Sequence, residues 1–86
     1  MSWLRRGGER KVHVGDPYYD DWTVVRDFEQ LDTALAFRDQ LRDGGIKAVL
    51  TSDWPLDRFG RGEIALRVEG DDYGDAEVLL SGMEDD

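Results

Sequence analysis

The chain has no cysteine, one histidine, two prolines, two lysines and no long apolar run. Without cysteine there is no disulfide staple, no thiolate nucleophile and no thiolate zinc site. The lone imidazole, His13, lies between Val12 and Val14, without the neighbours that a catalytic triad or a metal centre requires. No stretch approaches the ~18–20 apolar residues of a membrane span, and none resembles the apolar segment of a signal peptide. A cytoplasmic protein that does not engage membranes is therefore expected. Basic charge is scarce as well. Eleven basic against twenty acidic residues give a net charge of −9. That balance argues against phosphate neutralisation, hence against a nucleic-acid partner, and against docking on anionic lipid.

What is present fits one small domain. The 86 residues fall just below the ~100–200 of a typical domain, and a chain of this size builds only a thin core. The charge is uneven. Arg5, Arg6, Arg10 and Lys11 against Glu9 make the first fifteen residues positive, whereas the other 71 carry seven basic and nineteen acidic side chains. A basic N-terminal arm and connector (1–21), mobile up to Arg10, is thus expected to precede a single α+β domain (22–83) and a frayed acidic tail (84–86). Lys11-Val12-His13-Val14 alternates polar and apolar residues, which suits an extra edge strand at 11–14; the competing reading is a disordered leader. Gly15-Asp16-Pro17 is a turn signal.

Between those ends, strand and helix patterns alternate. Trp22 to Phe28 is rich in β-branched and aromatic residues and reads as a strand. From Glu29 to Asp43, Leu31, Ala34, Leu35, Phe37 and Leu41 recur at helical spacing, with Asp27 and Gln30 resembling a capping box. Gly44-Gly45 stops this helix, and Ile46 to Thr51 reads as a second strand. Ser52 to Gly62 is a loop containing Trp54-Pro55. In Glu63 to Val68, Ile64, Leu66 and Val68 share one face of a third strand. After an acidic turn at Gly70-Asp71-Asp72, the residues Tyr73, Ala76, Leu79, Leu80 and Met83 outline a second amphipathic helix. Strand–helix–strand–strand–helix is most of a ferredoxin-like βαββαβ unit. The expected fold is a two-layer α+β sandwich with both helices on one face of a small sheet. Its last strand is missing or replaced by the N-terminal segment.

From Trp22 to Leu80 the chain resembles a family of small bacterial domains described as prokaryotic signal transducing proteins, similar in fold to the trimeric PII proteins. The resemblance rests on Trp22-Thr23-Val24-Val25, Ala34, the Leu41-Arg-Asp-Gly-Gly-Ile46 junction, the apolar strand Ile64 to Val68, and Ala76 with Leu79-Leu80. All are structural positions. The resemblance implies the fold and a ligand-sensing or regulatory role. The basic arm and the Trp-Pro loop depart from the family pattern.

Few side chains suggest chemistry. Asp16, Asp20 and Asp21, or Asp71, Asp72 and Asp75, lack the spacing of a calcium loop, and capping explains the second set. A catalytic carboxylate pair needs a partly dry cleft, which a thin core rarely provides, so no enzyme, no cofactor and no metal are expected. Gly60-Arg61-Gly62 feeds a strand and not a helix N-terminus, so it is no phosphate loop, although Arg58 and Arg61 together suit a small anion. The most suggestive group is Trp54, Leu56, Arg58 and Phe59. Exposed together, these residues form a partner or dimer contact; folded back, they cap the sheet. Two functions follow: a non-catalytic regulatory or protein-interaction module that binds an unknown protein partner, or a second copy of itself, through the open sheet edge or face and the Trp54–Phe59 loop, and a PII-like sensor of an anionic metabolite.

Overall fold

The computed structural model describes residues 10–84. The arm before Arg10 and the tail at 85–86 lie outside the described residues. In chain order the elements are β1 (His13–Val14), a 3₁₀ turn (Pro17–Tyr19), β2 (Thr23–Gln30), α1 (Leu31–Asp43), β3 (Ala48–Ser52), β4 (Arg61–Val68), a second 3₁₀ turn (Gly70–Asp72) and α2 (Tyr73–Glu84). They form an α+β fold with a four-stranded mixed sheet in the order β1-β3-β4-β2. β4 is antiparallel to both β2 and β3, and β1 is parallel to β3. Among the described residues no helix is long and apolar enough to cross a membrane.

The alternation of β4 builds the core. Ile64, Leu66 and Val68 point to one face and are buried with Leu50 and Ala48 of β3, Val25 of β2, Ala34, Leu35 and Leu41 of α1, and Ala76 and Leu80 of α2. Because these β4 residues share one face, both helices pack on that face. The junction after α1 explains Gly44-Gly45. Gly45 adopts a left-handed φ of +87°. The Gly45 N–H donates to the Arg42 carbonyl and the Ile46 N–H to the Leu41 carbonyl, each at 3.0 Å. This is a Schellman closure, with Leu41 and Ile46 both in the core.

The other end of α1 corrects the sequence reading. β2 does not stop at Phe28 but continues to Gln30, which pairs with Arg61. The helix therefore starts two residues later than expected, and Gln30, its N-cap, makes no side-chain cap bond. The Asp27–Gln30 capping box does not form, because both residues lie in the strand. Leu31 instead donates its N–H to the Gly60 carbonyl at 2.8 Å. α2 also runs through Glu84, past the boundary expected at Met83.

The outer face of the sheet is not bare. Register places Val24, Asp27, Val49, Thr51, Ala65 and Arg67 there. The Arg67 guanidinium donates to the carbonyls of Tyr19 (3.1 Å) and Trp22 (3.0 Å) and, through Nε, to Thr51 Oγ1 (3.0 Å). It straps the 17–22 connector across that face, where Tyr19 meets His13 and Trp22 ring to ring. Val49 and Thr51 are buried. The connector thus covers the β3 side of the outer face, whereas Val24 and Asp27 on β2 stay exposed. The N-terminal strand is two residues long, not four, and it adds beside β3, leaving β2 at the opposite edge.

Candidate functional site

The β3–β4 loop is held at both ends. At its start the Ser52 hydroxyl donates to the Trp54 carbonyl at 2.8 Å. At its tip Asp57 closes a turn. The Asp57 Oδ1 accepts the N–H groups of Phe59 (2.8 Å) and Arg61 (2.9 Å), while the Asp57 N–H donates to the Arg61 carbonyl at 3.0 Å. Aspartate suits this position because its short carboxylate can bind backbone two residues onward. Gly60 completes the turn with φ +74°. Gly62 has a separate reason: a Cβ there would meet Leu56 Cδ2 at 2.6 Å. The two glycines that flank Arg61 thus serve the backbone turn and the seating of Leu56.

The loop divides its side chains. Leu56 is half-buried against the core, on the helix-covered side of the sheet and not over its open face. Trp54 and Phe59 remain 74% and 67% exposed, as the partner-contact reading expected. The Phe59 ring lies close to two cations, with the Arg58 guanidinium carbon 5.0 Å and that of Arg61 5.7 Å from its centroid. These distances lie within cation–π range. Leu56, Arg58, Phe59 and Arg61 line one groove of about 460 Å³ with Arg10, Gln30, Leu31 and Asp32. Trp54 stands outside it.

Arg10 is the residue that sequence reading did not place here. It reaches Asp32, 22 positions away, at 2.9 Å, and no local pattern foretells such a contact. Two other arginines also escaped notice. Arg38 lies on the core side of α1, 1% exposed, with its guanidinium on the Asp39 carboxylate at 2.7 Å. Arg26 joins β2 to α2, binding both Glu84 carboxylate oxygens (2.9 and 2.7 Å) and Glu77 (2.8 Å). Hydrogen bonds from Arg26 hold both glutamates below the ordinary carboxylate range, and the two glutamates in turn hold the guanidinium charged.

His13 sits 3.8 Å from Asp16 and against the Tyr19 ring. Among the described residues no three His, Asp or Glu side chains are gathered so as to hold a metal ion. No family model, no curated protein and no solved structure matches the chain.

Proposed function

We propose that this protein is a non-catalytic interaction module, of regulatory type, that engages a protein partner through the tip of its β3–β4 loop. The observation that carries the reading is Phe59, a mostly exposed aromatic ring on a turn whose backbone is fixed by Asp57 and Gly60. Exposing an aromatic ring is costly, and fixing it in place lowers the entropy lost on docking. Aromatic and arginine side chains are also those that most often dominate binding energy. The strand order supports the finer fold reading. β2 and β3 are parallel, joined through α1, with β4 between them. This is the split arrangement of a ferredoxin-like sandwich without its last strand, and it is in keeping with the PII-like resemblance. We place the protein in the cytoplasm and carry a homodimer as one form the partner takes.

The test is a pair of variants, Trp54→Ala and Phe59→Ala, assayed for capture of partners from the host lysate and for self-association by light scattering. Both should melt within a few degrees of the parent, since the rings are exposed, and Phe59→Ala should lose association. A Phe59→Ala protein that unfolds, or one that associates as the parent does, removes the tip from the interface.

The groove supports a second reading. Arg58 and Arg61 on its wall suit an anionic metabolite, the sensor alternative. A thermal-shift screen with phosphate, nucleotides and 2-oxo acids separates the two. A ligand at about 100 times its dissociation constant adds roughly 2.7 kcal/mol, a shift of many degrees in a domain this small.

A further inference from the structure

The chemistry of the partner follows from how the arginines are distributed. Arg10, Arg26 and Arg38 each hold a carboxylate, and Arg67 and Arg42 donate to backbone carbonyls. Arg58 and Arg61 do neither. Among the described residues no oxygen accepts from their guanidinium groups, and both rest on the Phe59 ring. In a chain with twenty acids and a net charge of −9, leaving two adjacent arginines without carboxylates is unusual. Asp57, next to Arg58 in sequence, spends its carboxylate on the backbone N–H groups of the turn.

We propose that the tip binds an acidic peptide segment carrying an apolar side chain, a deepening that rests on the interaction-module reading above. The apolar residue of the segment lies on Phe59 and reaches the half-buried Leu56, and flanking carboxylates take the guanidinium groups of Arg58 and Arg61. Planar guanidinium groups bind carboxylates through paired N–H donors, and stacking on a ring preorganises them for it. A peptide is favoured over a small free anion because the two cations sit beside an exposed ring and not around an enclosed cavity. Small-ligand sites bury most of the ligand surface; Phe59 and both arginines stand in solvent. The net charge of −9 adds selectivity, because the largely acidic remainder of the domain disfavours an acidic segment.

The test uses the full chain and a fluorescein-labelled octapeptide of alternating glutamate and leucine, read by fluorescence anisotropy. A matched peptide has glutamine in place of glutamate. The glutamate peptide should bind, weaken at least tenfold in Arg58→Gln/Arg61→Gln and in Phe59→Ala, and weaken again as salt rises from about 50 to about 300 mM. Both variants should keep the parental melting temperature. Equal binding of the glutamine peptide, or binding indifferent to the arginine substitutions, overturns the acidic-segment assignment and leaves the interaction module standing. Displacement of the bound peptide by millimolar inorganic phosphate overturns it in favour of a small-anion site. If neither peptide binds but the protein self-associates through Phe59, the occupant is a second copy and the acidic segment is wrong. If neither peptide binds and Phe59→Ala changes neither self-association nor partner capture, both the inference and the reading beneath it fail.

Discussion

Glycine at position 45 does what no other residue does as cheaply. Its φ of +87° lies where a side chain clashes with the neighbouring backbone, at a cost of about 1–2 kcal/mol. Gly45→Ala should therefore lower the melting temperature by several degrees, at ~4–8 °C per kcal/mol for a domain this small. Gly82, in α2, has neither a positive φ nor any atom within 4 Å of a Cβ built on it. Gly82→Ala should raise stability by up to about 0.5 kcal/mol through the lower backbone entropy of the unfolded chain. Calorimetry on the pair checks both signs at once. In the core, Leu66 is fully buried at the centre of the sheet. Leu66→Ala removes its contacts and leaves a cavity, worth about 2–5 kcal/mol, a large share of the ~5–15 kcal/mol that small proteins possess. At this scale the sequence was easy to read where one face is buried: Ile64, Leu66 and Val68 announce themselves by alternation. It was misleading for Arg38, whose position three after Leu35 belongs to the apolar stripe while its chemistry suggests the surface. An arginine can be buried only if its charge is answered, and the answer here, Asp39, is not distinguishable in sequence from any other neighbouring acid.

Elements are tied together by charge as well as by apolar contact. Arg26 fastens the bulged part of β2 to α2 through Glu77 and Glu84. The two carboxyls titrate below their ordinary 4.5 in the folded protein. The folded state therefore binds fewer protons than the unfolded one across that range. The clamp contributes its full stabilisation above the unfolded carboxylate value, and the contribution disappears as pH falls through the lowered values. A Glu77→Gln/Glu84→Gln protein should melt lower than the parent at pH 7, and the gap should close progressively below about pH 4.5. A gap that persists undiminished in strong acid would show that the glutamates act by packing and not by charge. The limits of elements were the least legible feature. Asp27 and Gln30 have the right spacing for a helix cap, but the pairing of Gln30 with Arg61 extends the strand over them. A long-range ladder prevailed over a local preference, and no window of neighbouring residues contains that information. The C-terminal stop of α1, by contrast, is local, and Gly44-Gly45 foretells it.

For the molecule as a whole, the connector from Pro17 to Trp22 behaves as a strap. Arg67→Met removes the donors to Tyr19, Trp22 and Thr51 but retains the aliphatic stem over the sheet. Losing hydrogen bonds from a charged donor costs about 1.5–3 kcal/mol, and the strap should loosen first. Limited chymotrypsin digestion should then cut at Tyr18, Tyr19 or Trp22 sooner than in the parent, while the far-ultraviolet dichroism of the sheet and helices is retained. Unchanged cleavage kinetics would show that stacking of Tyr19 on His13 and Trp22 suffices. This strap was invisible in the sequence because its anchor lies some 45 positions from the carbonyls it binds. The functional tip was half visible. The cluster Trp54, Leu56, Arg58 and Phe59 stands out in composition, but which side chains turn in and which stay out depends on Gly62 yielding room to Leu56.

The central position of β4 also orders events in time. During synthesis β2 and β3 are made before residues 61–68, yet each finds its long ladder only on β4. Until then α1 and two apolar strands wait with their hydrogen-bonding edges unfilled, apart from the brief β1–β3 contact. Such exposed edges invite mispairing between nascent chains. When β4 arrives, both flanking strands gain their partner in a single step. A chain arrested before Arg61 should thus be without its sheet, and one arrested after Val68, once clear of the exit tunnel, should acquire it almost whole.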